Sequence, residues 1–126
     1  MPTEYDSLTE QQDEWLLSPQ VQLSSGTLSF WSFGSLHWCR DIYDNCDLAV
    51  WLVVGSVGGG DDVYLGLADD DWVASWEWAQ STFNLTPHLP GGPVRIGFRY
   101  HGLDGAEIGL DDISLNGMPL VVSPAR

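Results

Sequence analysis

The chain has 126 residues, 44% hydrophobic and 17% charged, with 18 acidic side chains against 4 basic ones and a formal net charge of −14. Such a length and composition suit one globular domain with a core of its own. The acid excess repels nucleic-acid phosphates and anionic membranes, so neither is an expected partner.

No apolar run approaches the ~20 residues needed to cross a bilayer. The opening Met1-Pro2-Thr3-Glu4-Tyr5-Asp6 has neither a basic nor an apolar segment, so an exported form is expected to derive from a longer precursor. The acids themselves have three readings: solubility, calcium binding, which wants carboxylate and carbonyl oxygens, and adaptation to high salt.

In chain order the periodicity is that of strands. Val21-Gln22-Leu23 alternates, Ser24-Ser25-Gly26 turns, and Thr27 to Phe33 sets Leu28 and Phe30 against Ser29, Trp31 and Phe33. Cys39 and Cys46 bracket a short polar segment. Two thiols make a poor zinc site, so the expectation is a local disulfide, with two reduced thiols as the alternative.

Leu48 to Val54 is nearly continuous in apolar character, as a strand covered on both faces would be. After the glycine-rich Gly55 to Asp62, strands are expected at Val63 to Leu67 and Trp72 to Trp78, split by an acidic turn at Ala68-Asp69-Asp70-Asp71. A short strand at Phe83-Asn84-Leu85 ends at Pro87, and Pro90-Gly91-Gly92-Pro93 turns the chain. Val94, Ile96, Phe98 and Tyr100 then alternate with Arg95, Gly97 and Arg99. Ile108 to Leu115 is the next strand, Asn116-Gly117 signals a hairpin, and Met118 to Val122 is a final short strand. No helical stripe bounded by caps occurs. The pattern predicts a single all-β domain over 1–126, a two-sheet antiparallel sandwich of the jelly-roll kind.

Several phrases occur in order: Asp13-Glu14-Trp15-Leu16-Leu17-Ser18-Pro19, Gly26-Thr27-Leu28-Ser29-Phe30 and Tyr43-Asp44-Asn45-Cys46-Asp47-Leu48-Ala49-Val50. Phe83-Asn84-Leu85, Pro93 to Tyr100, and Leu110-Asp111-Asp112-Ile113-Ser114-Leu115 follow. Together they resemble the cleaved-adhesin, or choice-of-anchor J, domains and the MAM-like domains of secreted bacterial metallopeptidases. The likeness spans about Asp13 to Leu115. It implies a jelly-roll module of a multidomain secreted or cell-surface protein, often with structural calcium and without catalysis. The family usually has one or two more strands upstream. Here Met1 to Leu8 as an abbreviated strand, the tail Met118 to Arg126, or a partner completes the sheet, and an incomplete edge invites a homodimer.

Asp111 and Asp112 interrupt an apolar strand, so one is expected to face inward or to lie at a sheet edge. Asp111 or Asp112, with Asp13 and backbone carbonyls, forms the expected Ca²⁺ site, with Glu14 and Asp6 as further candidate partners; the alternative is hydrogen bonding to amides or pairing with Arg95 or Arg99. Asp61-Asp62 and Asp69-Asp70-Asp71 lack EF-hand spacing and read as solvated turns.

Trp72, Trp76 and Trp78 share one strand parity, and Trp31 lies opposite the Leu28–Phe30 face. An exposed aromatic row would stack on sugar rings, with Arg95 and Arg99 supplying polar contacts; the alternative is that these rings fill the core or meet a neighbouring domain. HExxH and GxSxG are absent, and Gly58-Gly59-Gly60 is followed by Asp61 rather than by a P-loop lysine. The expectation is a non-enzymatic accessory module that contacts neighbouring domains or surface proteins, with a carbohydrate-binding module as the alternative.

Overall fold

A computed structural model of the chain describes residues 11–34, 46–55, 62–103 and 108–124. Among these residues nine strands run as β1 Gln11–Leu17, β2 Thr27–Phe33, β3 Cys46–Val53, β4 Val63–Leu67, β5 Ala79–Asn84, β6 Arg95–Leu103, β7 Gly109–Leu115, β8 Met118–Pro119 and β9 Ser123–Pro124. They form a five-stranded sheet in the order β4-β3-β6-β1-β9 and a four-stranded sheet in the order β5-β2-β7-β8. Neighbours pair antiparallel throughout, so the all-β sandwich expected from the periodicity is the fold.

The two inner faces meet in one apolar layer. Leu28 and Phe30 on β2 and Leu115 on β7 face Leu48, Val50 and Leu52 on β3 and Ile96 and Phe98 on β6. The Phe30 and Phe98 rings close the gap edge to face, 5.0 Å between centroids. Each such side chain contributes roughly 1.5–3 kcal/mol on burial. β3 is covered on both faces, as its unbroken apolar run predicted: Ala49 and Val53 are buried although they point away from the core layer.

Turn chemistry fixes the register at the end of the four-stranded sheet. Asn116 and Gly117 both have positive φ, 53° and 80°, in the tight hairpin between β7 and β8. Asn116 also accepts the Thr27 N–H on Oδ1 at 2.9 Å, and its own N–H donates to the Thr27 carbonyl at 2.9 Å. The hairpin signal in the sequence was therefore also an anchor for β2.

Three expected elements differ. Val21 makes only a single bridge, to Val94. The tail divides: β8 pairs with β7, while β9 lies beside Leu16 and Leu17 of β1. Trp72 to Trp78 is not a strand. A 3-10 turn at Ala68–Asp71 leads into a loop, and the strand begins only at Ala79. The aromatic spacing there mimicked strand alternation, but Trp76 lies at φ 65°, which no strand accepts. Cys39 and the Cys46 side chain lie outside the described residues, as does Met1 to Leu8.

Candidate functional site

The outer face of the four-stranded sheet can be built row by row from the strand register. On β2, Thr27, Ser29, Trp31 and Phe33 point outward while Leu28, Phe30 and Ser32 are buried. Trp31 stands opposite Gln80 on β5 and Asp111 on β7, and Ser29 stands opposite Thr82 and Ser114. The Ser29 and Thr82 hydroxyls are 3.4 Å apart.

At the next position Phe33 pairs with Gly109. Its ring lies so close over that glycine that a Cβ there would come within 2.5 Å of it. Trp78 meets the other side of Phe33 at 4.5 Å and Trp76 at 6.2 Å, both edge-on. The face thus grades from an aromatic row through an amide–indole–carboxylate row to a hydroxyl row.

The rings remain in water: Trp31 is 37% exposed, Trp76 53% and Trp78 46%. Trp72, the third tryptophan of that segment, does not join them. It is buried at the end of the core under Gly34, where a Cβ would come within 2.4 Å of the indole, and its Nε1 donates to the buried Ser32 hydroxyl at 2.9 Å. From that anchor the chain leaves the fold and returns to it, with the Trp76 N–H donating to the Gly34 carbonyl at 2.9 Å. A shared strand parity for Trp72, Trp76 and Trp78 is therefore corrected: one ring is core and two are surface, because the intervening backbone turns.

Asp111 and Asp112 are both exposed. Ser114 and Asp111 of β7 face Ser29 and Trp31 of β2, so β7 carries one extra residue between these pairs. Asp112, in this bulge, lies at φ 51°, and its N–H donates to Asp111 Oδ1 at 2.8 Å. The bulge breaks the alternation that would have sent one carboxylate inward. β8 pairs only with Ser114 and Leu115, so the acids also lie where β7 has lost that neighbour.

Asp13 stands elsewhere, on β1 of the five-stranded sheet. Arg99 grips its carboxylate with both Nε and Nη2, at 2.7 and 2.5 Å, and holds it below the usual carboxylate range. The three expected calcium ligands are thus divided between two sheets, and one is already matched by a guanidinium. Among the described residues no three His, Cys, Asp or Glu side chains form a group that could hold a metal. This donor set does not fit calcium.

Arg95 and Arg99 are on β6, in the other sheet from Trp31. Arg99 instead lies 5.5 Å over the Trp15 ring, on an outer face where Trp15, Trp51 and Tyr64 form a second aromatic group. The sequence reading missed this group because Trp15, Trp51 and Tyr64 come from three separate strands.

The acidic turn is also only partly solvated. Asp69 is 2% exposed, and Leu48 N–H donates to its Oδ1 at 3.0 Å. Burial pushes its pKa up to about 6. Asp71 accepts the Ser81 hydroxyl at 2.6 Å, and Asp62 accepts Val54 N–H at 2.9 Å. These acids tie loops to β3 and β5, a role that carboxylates in polar turns take when amides lie within reach. No protein-family model matches the chain, and no curated protein matches it.

Proposed function

We propose that this chain is a non-catalytic binding module of a larger secreted or cell-surface protein, engaging carbohydrate through the outer face of its four-stranded sheet. The observation that supports the reading is the ring cluster around Phe33, with Trp31, Trp76 and Trp78 left open to water. Exposed indole is unfavourable by roughly 25 cal/mol per Å² of apolar area, which a ligand recovers by covering it. Pyranose rings offer flat C–H faces for such rings and equatorial hydroxyls for the amide, carboxylate and hydroxyl groups beside them.

The backbone adds a second support. Trp76 holds a left-handed φ of 65°, where a side chain costs about 1–2 kcal/mol relative to glycine. Strain of this kind concentrates where the side chain itself serves a purpose. The accessory role follows the adhesin-like phrases and the lack of catalytic motifs in the sequence.

Affinity electrophoresis through gels containing neutral polysaccharides tests the reading. Retardation is expected for the wild type and for Arg99→Ala, and its loss for Trp78→Ala. Free migration in every polysaccharide, or retardation indifferent to Trp78, would sink it.

A further inference from the structure

The charge pattern of the same face names the kind of saccharide it takes. This step rests on the carbohydrate reading above. Next to Trp31 in register stands Asp111, and Asp112 follows it in the bulge, both exposed. The two arginines among the described residues, Arg95 and Arg99, are on the opposite sheet. Indole faces and carboxylates attract positive charge, through the ring quadrupole and through direct Coulomb attraction, and both repel a uronate or a sulfate. The whole chain carries a formal charge of −14, which deepens the repulsion at long range.

We infer that the face selects saccharide chains without acidic groups and binds amine-bearing chains, of the glucosamine type, more tightly than neutral ones, with Asp111 and Asp112 as the selectivity residues. The ammonium groups of such a chain sit beside the two carboxylates while its C–H faces rest on Trp31 and the Phe33 cluster. Exposed charge pairs of this sort change an equilibrium by about two- to five-fold each, and the preference shrinks as salt rises.

Two substitutions remove the charges and leave the backbone in place. Asp112→Gly suits a φ of 51°, and Asp111→Asn keeps the oxygen that accepts the Asp112 N–H. Trp76→Gly likewise relieves a strained residue while removing a ring. Calorimetric titration at mildly acidic pH with three oligosaccharides, N-acetylglucosamine, glucosamine and galacturonate, reads the result.

The expected order is glucosamine tightest, N-acetylglucosamine several-fold weaker and galacturonate undetected. Asp111→Asn with Asp112→Gly brings the first two together, and Trp76→Gly weakens both without lowering the melting temperature. Equal binding of all three, or tightest binding of galacturonate, overturns the inference and leaves the carbohydrate reading standing. Binding neither to any of these three nor to any polysaccharide in the gels overturns both. A glucosamine preference that survives the two aspartate substitutions overturns the assignment to β7.

Discussion

The two outer faces of this sandwich both carry aromatic side chains, and they use them in opposite ways. On the five-stranded side the rings cover a second apolar layer. Val53 is 1% exposed there, and Gly97 is so closely packed that a Cβ would meet Val53 at 2.9 Å, Trp15 at 3.1 Å and Leu17 at 3.3 Å. Arg99 lies over Trp15 and clamps Asp13, so those two charges on that face are matched within the chain. On the four-stranded side the rings cover little. They stand around Phe33 with their edges in water, and the carboxylates beside them have no described arginine on the same sheet. An aromatic ring on a sheet surface therefore tells little until its cover is known.

The open face depends most on the buried support behind it. Trp72→Ala removes the buried ring that anchors the loop bearing Trp76 and Trp78 and leaves the Ser32 hydroxyl without that donor. Urea unfolding is expected to show a loss of about 3–5 kcal/mol. A loss below 1 kcal/mol would show that the loop does not depend on this anchor.

Acidity next separates the buried turn from the exposed ion pair. Asp69, with a folded pKa of about 6 against an ordinary 3.8, favours the fold most when protonated. That contribution is complete below pH 3.8 and is lost as pH rises through 6. Asp13, with its pKa lowered by Arg99, acts in reverse: its contribution is present above the ordinary value and lost on acidification. Asp69→Asn keeps an acceptor for Leu48 N–H and is expected to raise stability at neutral pH by up to about 3 kcal/mol while leaving it unchanged near pH 4. Melting curves across that range check this, and an equal gain at both ends would assign the effect to something other than ionisation.

The same small change then sorts packing from recognition. Gly97→Ala pushes a methyl into the immobile Val53 and is expected to cost about 1–3 kcal/mol with saccharide binding intact. Gly109→Ala meets the Phe33 ring first, a ring that is partly open to solvent rather than locked in the core. It is expected to cost less than about 1 kcal/mol and to weaken binding, because the ring no longer stands where Trp78 meets it. Equal stability losses would erase the distinction drawn between the faces.

The smallest effect belongs to the surface ion pair. Arg99→Ala is expected to change stability by about 0–1 kcal/mol, since both partners remain well exposed. Melting in calcium and in chelator makes a companion measurement. A filled site adds about 2.7 kcal/mol at a hundredfold excess over its dissociation constant. No calcium-dependent rise assignable to Asp111 and Asp112 is expected; one that disappears in Asp111→Ala with Asp112→Ala would place a metal on β7.

Much of the fold was legible because burial imposes a period of two on any strand with one wet face. Thr27 to Phe33 and Val94 to Tyr100 showed that period cleanly, Leu48 to Val54 showed the unbroken run of a strand covered twice, and Asn116-Gly117 marked its hairpin. The outward set of Trp31 against Leu28 and Phe30 was equally plain.

What the sequence left open were the places where the backbone departs from its period. One extra residue at Asp112 carried two carboxylates to the surface, and a left-handed Trp76 parted two rings from a third of the same parity. Local propensity does not encode such steps, because they are chosen by what the rest of the chain brings alongside: Gly34 over Trp72, Leu48 N–H against Asp69, Gly109 beneath Phe33. By itself the sequence determined the sheets and their inner faces, through hydrophobic period and turn chemistry. Only the tertiary structure decided that Trp76 and Trp78 meet water while Trp72 does not, and which partners the acids meet, since both depend on strand register and on contacts between residues distant along the chain.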